Sequence, residues 1–141
     1  MQTLDVALLT DHRYPARTAT KGDWYLRNIL DDNRLLQEAP TRRGMTLVRA
    51  DWADPEIDWS RFRCAVFRTT WDYFERFVEF SAWLGHAERA TRLCNSGSTV
   101  RWNVDKHHLA DLADRGVPVV PSRFLERGST RTLADVLAEI D

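Results

Sequence analysis

The chain has 141 residues, with 20 Lys plus Arg against 21 Asp plus Glu, so no net field favours nucleic acid or an anionic membrane as a partner. A chain of this length buries roughly two-thirds of its unfolded surface, enough for one hydrophobic core. The apolar runs fall far short of the ~20 residues that a membrane helix needs, and the N-terminus lacks a basic region followed by a long apolar segment and a cleavage site, so a cytoplasmic location is expected. Cys64 and Cys94 sit in short apolar runs with no CxxC spacing and no third ligand nearby. They are expected to be buried, reduced thiols.

Residues 4–9 form an apolar run broken only by Asp5 and ended by Thr10 and Asp11. Its length suits a strand buried on both faces of a parallel sheet. Residues 12–22 are polar, contain Pro15 and several threonines, and read as a loop leaving that strand's C-terminal end. Asp31 is expected to cap a helix carrying Leu35, Leu36 and Ala39, with Trp24, Leu26, Ile29 and Leu30 as an earlier helical turn or a packed continuation, and Pro40 ending or kinking it. A short strand is expected at residues 46–49, followed by a polar connection over 52–61 that holds Pro55 and Trp59. Cys64-Ala65-Val66-Phe67 is the next strand candidate, and a polar cluster from Arg68 to Tyr73 begins where it ends. Phe77, Phe80, Leu84 and Ala87 recur at intervals of three, four and three, which predicts a crossover helix over 75–90 with one core-facing stripe.

Leu93 and Cys94 suggest a brief strand, and residues 95–98 a turn. A second helix is expected from about Val104 to Arg115, with Asn103 as its N-cap, Leu109, Leu112 and Ala113 on one face, and Gly116 then Pro118 as stop signals. Residues 119–125 read as extended around Pro121, and a last helix over 132–140 carries Leu133, Val136, Leu137 and Ile140.

Alternating strands and helices predict an α/β fold, a small three-layer domain with a mainly parallel sheet and right-handed crossovers. In such folds ligands collect outside the carboxyl ends of the strands. Thr10, Asp11, Arg68, Thr70, Asp72 and Asn95 each follow an apolar run closely, so they are the candidate substrate-binding residues on one rim. The plainer alternative is that they are ordinary loop residues.

No GxGxxG follows the first strand and no GxxxxGK[ST] occurs, which disfavours a free-standing dinucleotide fold or a P-loop. No GxSxG elbow presents a nucleophile, and His12, His86, His107 and His108 form no HExxH pair. His107 and His108 would point about 100° apart on a helix, a poor arrangement for metal ligands. An Arg68 guanidinium is suited to gripping a carboxylate or phosphate, with Asp72 orienting it or an amine; equally, the two side chains suit an internal ion pair that pins the loop. Asn103 has the same two readings, ligand contact or helix cap. With Asn103 as the cap, Lys106 lies in a first helical turn, where the dipole mildly disfavours a cation. It is either aimed at an anion such as a phosphate or snorkelling from the edge of the apolar face.

Arg68-Thr69-Thr70-Trp71-Asp72-Tyr73, Asn95, Arg101-Trp102-Asn103-Val104-Asp105-Lys106 and Gly116-Val117-Pro118-Val119-Val120-Pro121 together resemble the N-terminal half of bacterial ATP-grasp proteins. The likeness is to those similar to prokaryotic glutathione synthetase and to the cyclo-ligase of cycloserine biosynthesis. Asp31-Asp32, Leu35-Leu36 and Gly44 fit the first helix of that group. The resemblance implies a Rossmann-like pre-ATP-grasp domain over 1–102, contributing to substrate binding, and an incomplete entry segment of an ATP-grasp domain over 103–141. It also implies a lysine contact to nucleotide at Lys106, with ATP and Mg2+ as cofactors of the complete enzyme. The implied activity is activation of a carboxylate as an acyl phosphate and its capture by an amine or similar nucleophile.

Three features depart from the family pattern. Ser96-Gly97 stand where a proline usually follows the asparagine, Pro40 interrupts a helix expected to run further, and Asp141 precedes the ATP-grasp core. On this reading the chain alone is not catalytically complete. An alternative is a small-molecule-binding or protein-interaction module without an ATP-grasp core, and a weaker one is an unrelated flavodoxin-like regulatory domain. A small-molecule substrate is the expected partner. A homodimer through Val136, Leu137 and Ile140 is a further expectation, because an apolar helix face without a cover associates readily.

Overall fold

The computed structural model describes residues 4–14 and 18–139. Four strands, β1 (Leu4–Thr10), β2 (Leu47–Asp51), β3 (Phe62–Thr69) and β4 (Arg92–Cys94), form one parallel sheet in the order β2-β1-β3-β4. The helices are α1 (Trp24–Thr41), α2 (Phe77–Ala90), α3 (Gly97–Val104), α4 (His108–Asp114) and α5 (Leu133–Leu137), and a short 3-10 turn at Trp59–Arg61 leads into β3. The chain divides into two compact units, residues 1–100 and 101–141.

In the first unit β1 is central, and its apolar run is the most deeply buried segment: Ala7, Leu8 and Leu9 are all shielded from solvent. Successive strand residues point to opposite faces. Phe67 meets Phe80 and Trp83 of α2 at ring separations of 6.4 and 6.0 Å, whereas its neighbour Arg68 reaches Asp32 of α1. The two helices therefore cover opposite faces of the sheet, which gives the three layers. The α2 face is aromatic: Trp52, Trp59, Phe80 and Trp83 interlock with centroids 5.3–5.7 Å apart. The register of β1 against β3 slips near the rim, where Leu9 pairs with Phe67 but Thr10 pairs with Thr69. Arg68 is the extra residue of this bulge, a device that re-aims side chains at a sheet edge.

Several elements differ from the sequence expectation. Residues 24–30 are helical and continue without a break into the helix expected after Asp31, giving one α1 whose N-cap is Asp23, whose carboxylate accepts from the Leu26 amide at 2.9 Å, so Asp31 lies inside the helix. Pro40 lies in its last turn, where the helix ends one residue later. The residues that α1 buries are Ile29 and Asn33, while Leu35 and Leu36 are exposed. β2 runs to Asp51, two residues beyond the expected end, and β3 takes in Arg68 and Thr69. In α2 the expected stripe holds at Phe80, Leu84 and Ala87, but Phe77 in its first turn is exposed. Cys64 is half-buried and Cys94 exposed, both free thiols, because β4 is a three-residue edge strand with one side uncovered.

In the second unit the expected single helix after Asn103 is two helices. Asn103 lies inside α3, and His107 is the N-cap of α4 without a side-chain cap bond. Lys106 stands in the turn between them, exposed, so it is not in the first turn of a helix. Gly116 adopts a positive φ of 76° just after α4, and the Val117 amide returns to the Leu112 carbonyl, the helix stop that the sequence signals. α5 opens on a capping box in which Thr132 and Asp135 satisfy each other's backbone amides. Val136 is buried, Leu137 is exposed, and Ile140 and Pro15 lie outside the described residues.

Candidate functional site at the sheet rim

The carboxyl ends of β1, β2 and β3 meet at one rim, and three backbone and hydroxyl links tie them. The Asp11 amide donates to the Thr69 carbonyl at 3.0 Å, the Trp52 amide to the Thr10 carbonyl at 3.0 Å, and the Thr69 and Thr10 hydroxyls lie 2.7 Å apart. Two carboxylates sit beneath this rim. Asp11 and Asp72 are both 0% exposed, a placement that carboxylates occupy only when paired.

The two are satisfied by different sets of donors. Asp11 Oδ1 accepts from the Arg13 amide at 2.9 Å and Arg13 Nε at 3.1 Å, and its Oδ2 accepts from Arg13 Nη2 at 2.8 Å and the Trp71 amide at 3.0 Å. Burial pushes the Asp11 carboxyl up, but these hydrogen bonds and the Arg13 charge outweigh it and hold the group below the ordinary carboxylate range. The hydrogen bond to Asp11 in turn raises Arg13. Asp72 Oδ1 accepts from Trp52 Nε1 at 2.8 Å, and Oδ2 contacts Arg76 Nη1 at 3.1 Å and His12 Nδ1 at 3.3 Å. The Arg76 guanidinium also lies over the Trp52 ring at 4.7 Å and bonds Glu79 one helical turn on. Beside this array a cleft of about 510 Å³ is lined by His12, Asp51, Ala53, Asp54, Pro55 and Arg76. A second hollow, of about 300 Å³, lies between the 52–59 connection and α2. We place the site at the larger cleft, because His12 and Arg76, two of the groups that contact Asp72, line it.

Aromatic rings line the rim on its other side. Trp71, whose amide Asp11 holds, packs edge-on against Tyr14 at 5.5 Å and lies 6.3 Å from Tyr25, with both Trp71 and Tyr25 exposed. Arg13 lies over the Tyr14 ring at 5.6 Å.

Among the residues proposed from sequence, Thr10, Asp11 and Asp72 come together here, with Thr70 buried in the same segment. Arg68 does not: it emerges opposite Phe67 on the α1 face, where Nε donates to Asp32 at 2.6 Å. The internal pair of Arg68 is therefore with Asp32, and the pair of Asp72 is with Arg76. Asn95, exposed after β4, has no contact in this array. Asn103 and Lys106 belong to the second unit. There Asn103 Nδ2 lies 3.4 Å from His108 Nε2, and Trp102 Nε1 donates to Asp111 at 2.7 Å. His107 places its two ring nitrogens 2.7 Å from Asp105 and 2.9 Å from Glu126, and stacks on Phe124. Among the described residues no three His, Cys, Asp or Glu side chains are grouped to hold a metal, and no helix is long and apolar enough to cross a membrane.

His12, Arg13, Trp52 and Arg76 were missed in the sequence. Two of them carry a readable signal: Arg76 follows Asp72 at the four-residue spacing of a helical ion pair, and Trp52 follows β2 directly once that strand's end is placed at Asp51.

Residues 6–95 match the family described as the D-cycloserine synthetase DcsG N-terminal domain. The chain belongs to this family. The cycloserine biosynthesis protein DcsG of Streptomyces lavendulae is 45% identical over 94 residues, which cover 67% of this chain and 31% of that relative. The crystal structure of D-cycloserine synthetase DcsG matches with a TM-score of 0.68 at 39% identity over 83% of this chain and 35% of the other. The chain thus spans about a third of the length of either relative. The stretch that matches the DcsG N-terminal family contains the whole rim, from Thr10 to Asn95, and ends before Asn103 and Lys106.

Proposed function

We propose that this chain is the N-terminal, substrate-side portion of an ATP-dependent ligase that activates a carboxylate as an acyl phosphate and joins it to an amine. The observation that carries this reading is membership of the DcsG N-terminal family over the segment that builds the rim. The rim's chemistry agrees with it. Two guanidinium groups, Arg13 and Arg76, are held in place by buried carboxylates, and a pre-oriented guanidinium beside a cleft suits a carboxylate substrate. The matched relatives are named for cycloserine synthesis and biosynthesis, which supports a precursor of cycloserine or of a similar compound as the substrate class.

Lys106 is the nucleotide contact in this proposal, exposed in its turn and free to reach an anion. With no three grouped metal-ligating side chains among the described residues, Mg2+ is assigned no ligand in this chain. In the complete reaction ATP supplies the phosphoryl group, and charge neutralisation with positioning dominates that transfer. This chain contributes the grip on the acid and the shape of its pocket.

Assay of the complete polypeptide for ADP release dependent on an amino acid tests the proposal; release that ignores every acid tried would sink it. Lys106→Ala is expected to weaken ATP affinity by about tenfold, the loss of one phosphate ion pair, with the far-UV spectrum unchanged. A second reading, a protein-interaction module, is favoured by exposed Trp24, Leu35, Leu133 and Leu137. Sedimentation of the 141-residue chain as a dimer at micromolar concentration, with no ligand raising its melting point, would support that one.

A further inference from the structure

We infer that His12 is the proton acceptor of this site and that Asp72 is the positioning residue that orients it. The inference rests on the ligase reading above and goes beyond it to the second half-reaction. An ammonium must lose a proton before its nitrogen can attack an acyl phosphate, and a neutral amine must shed one as the C–N bond forms, so a base beside the pocket serves either form.

The geometry singles out one candidate. His12 follows Asp11 at the end of β1, its side chain is 60% exposed, and its Nδ1 lies 3.3 Å from a carboxylate oxygen that is itself fully buried. An ionised carboxylate only accepts hydrogen bonds, so this contact places the imidazole proton on Nδ1 and leaves the Nε2 lone pair bare. Among the described residues no protein group hydrogen-bonds Nε2. Asp72 cannot follow a moving ring, because Trp52 and Arg76 pin both of its oxygens. Such a fixed partner holds the ring in one tautomer and one orientation, and stabilises the imidazolium once it forms. The ring lines the cleft together with Arg76, the cation that shares Asp72. His86 lines the second hollow, and His107 and His108 lie in the second unit.

The substrate's nitrogen gives its N–H proton to His12 Nε2, and its lone pair forms the C–N bond at the acyl phosphate carbon. The bond from that carbon to the phosphate oxygen breaks, and inorganic phosphate leaves with the bonding pair. The imidazolium then returns its proton to water. A mere surface brace would show the same ion pair but would not touch the reaction, and two measurements separate the alternatives.

In the 141-residue chain, long-range proton–nitrogen spectra of the imidazoles, assigned with His12→Gln, are expected to show neutral His12 protonated at Nδ1. A proton on Nε2 overturns the inference. In the complete ligase, His12→Gln is expected to keep the first-turnover burst of ADP at the wild-type rate while steady-state amide formation falls by about 10²-fold or more, the usual worth of a general base. Equal loss of burst and product, or loss of neither, overturns the role. A wild-type enzyme that forms no ADP with any amino acid refutes the ligase reading itself, a result distinct from wild-type ADP formation with an unaffected variant.

Discussion

Asp72 and Arg68 show how differently two charged residues four positions apart behave. Asp72 is fully buried and holds an indole, a guanidinium and an imidazole, so its removal strands the buried Trp52 N–H and takes away the partner that fixes Arg76 and His12. Asp72→Ala is expected to lower unfolding free energy by about 3 kcal/mol, whereas Arg68→Ala, which loses only a half-exposed pair with Asp32, costs under about 1 kcal/mol. Urea midpoints of the two variants check the contrast, and similar midpoints would contradict it.

Asp11 adds a pH dependence whose sign follows from its depressed native pKa. The unfolded group titrates near 3.8, so the stabilisation is complete above that value and is lost as pH falls through the lower native one. Urea unfolding from pH 5 to pH 2 should show this acid loss, and Asp11→Asn should flatten it. Sequence position alone brought Asp11 and Asp72 to the rim, since both follow strands. It failed for Arg68 because β3 runs on through Thr69, so Arg68 is still a strand residue that emerges opposite Phe67 and pairs with Asp32 of α1.

Among the elements, the turn between α3 and α4 is the clearest case of a local device. Both ring nitrogens of His107 face carboxylates, Asp105 and Glu126, and two acceptors require a doubly protonated ring. The hydrogen bond to Asp105 and then that to Glu126 raise the His107 pKa above its ordinary 6.5. A raised value means that the latch is complete below pH 6.5 and opens as pH climbs through the native pKa. An NMR titration of the 141-residue chain should find His107 titrating above 6.5, and Glu126→Gln should bring it down. No change in that variant would mean that the 126 contact is not formed in solution.

The same turn shows where periodicity misled. Asn103 suits an N-cap and the apolar spacing continues past it, yet α3 starts at Gly97 and runs through it. Cap preference is a local free energy of about 1 kcal/mol, and the packing of Trp102 against Asp111 and His108 overrides it. In α1 the reverse happened: Asp23 and Asp31 both suit a cap, and the chain used the earlier one, extending the helix by two turns.

For the whole molecule, the distribution of burial is uneven. The first unit holds a sheet whose central strand is shielded on both faces and an interlocked aromatic layer, whereas in the second unit α4 buries no residue and Val136 is the one buried apolar side chain among its described residues. Amide exchange should therefore be slowest in β1 and β3, near the global unfolding rate, and fast throughout residues 101–139, by local opening. Uniform protection across both units would contradict this reading.

The sequence by itself determined the α/β class, the parallel sheet, the family and the segment in which the rim would be found, because apolar run length and helical spacing are local quantities that burial on two faces or one imposes directly. Only the tertiary structure decided which polar residues meet there. Whether Trp52 and His12 reach Asp72, and whether Arg68 turns to Asp32, depends on strand register and on the crossing of elements that lie 20 to 60 residues apart in the chain, distances over which no local preference of the backbone acts.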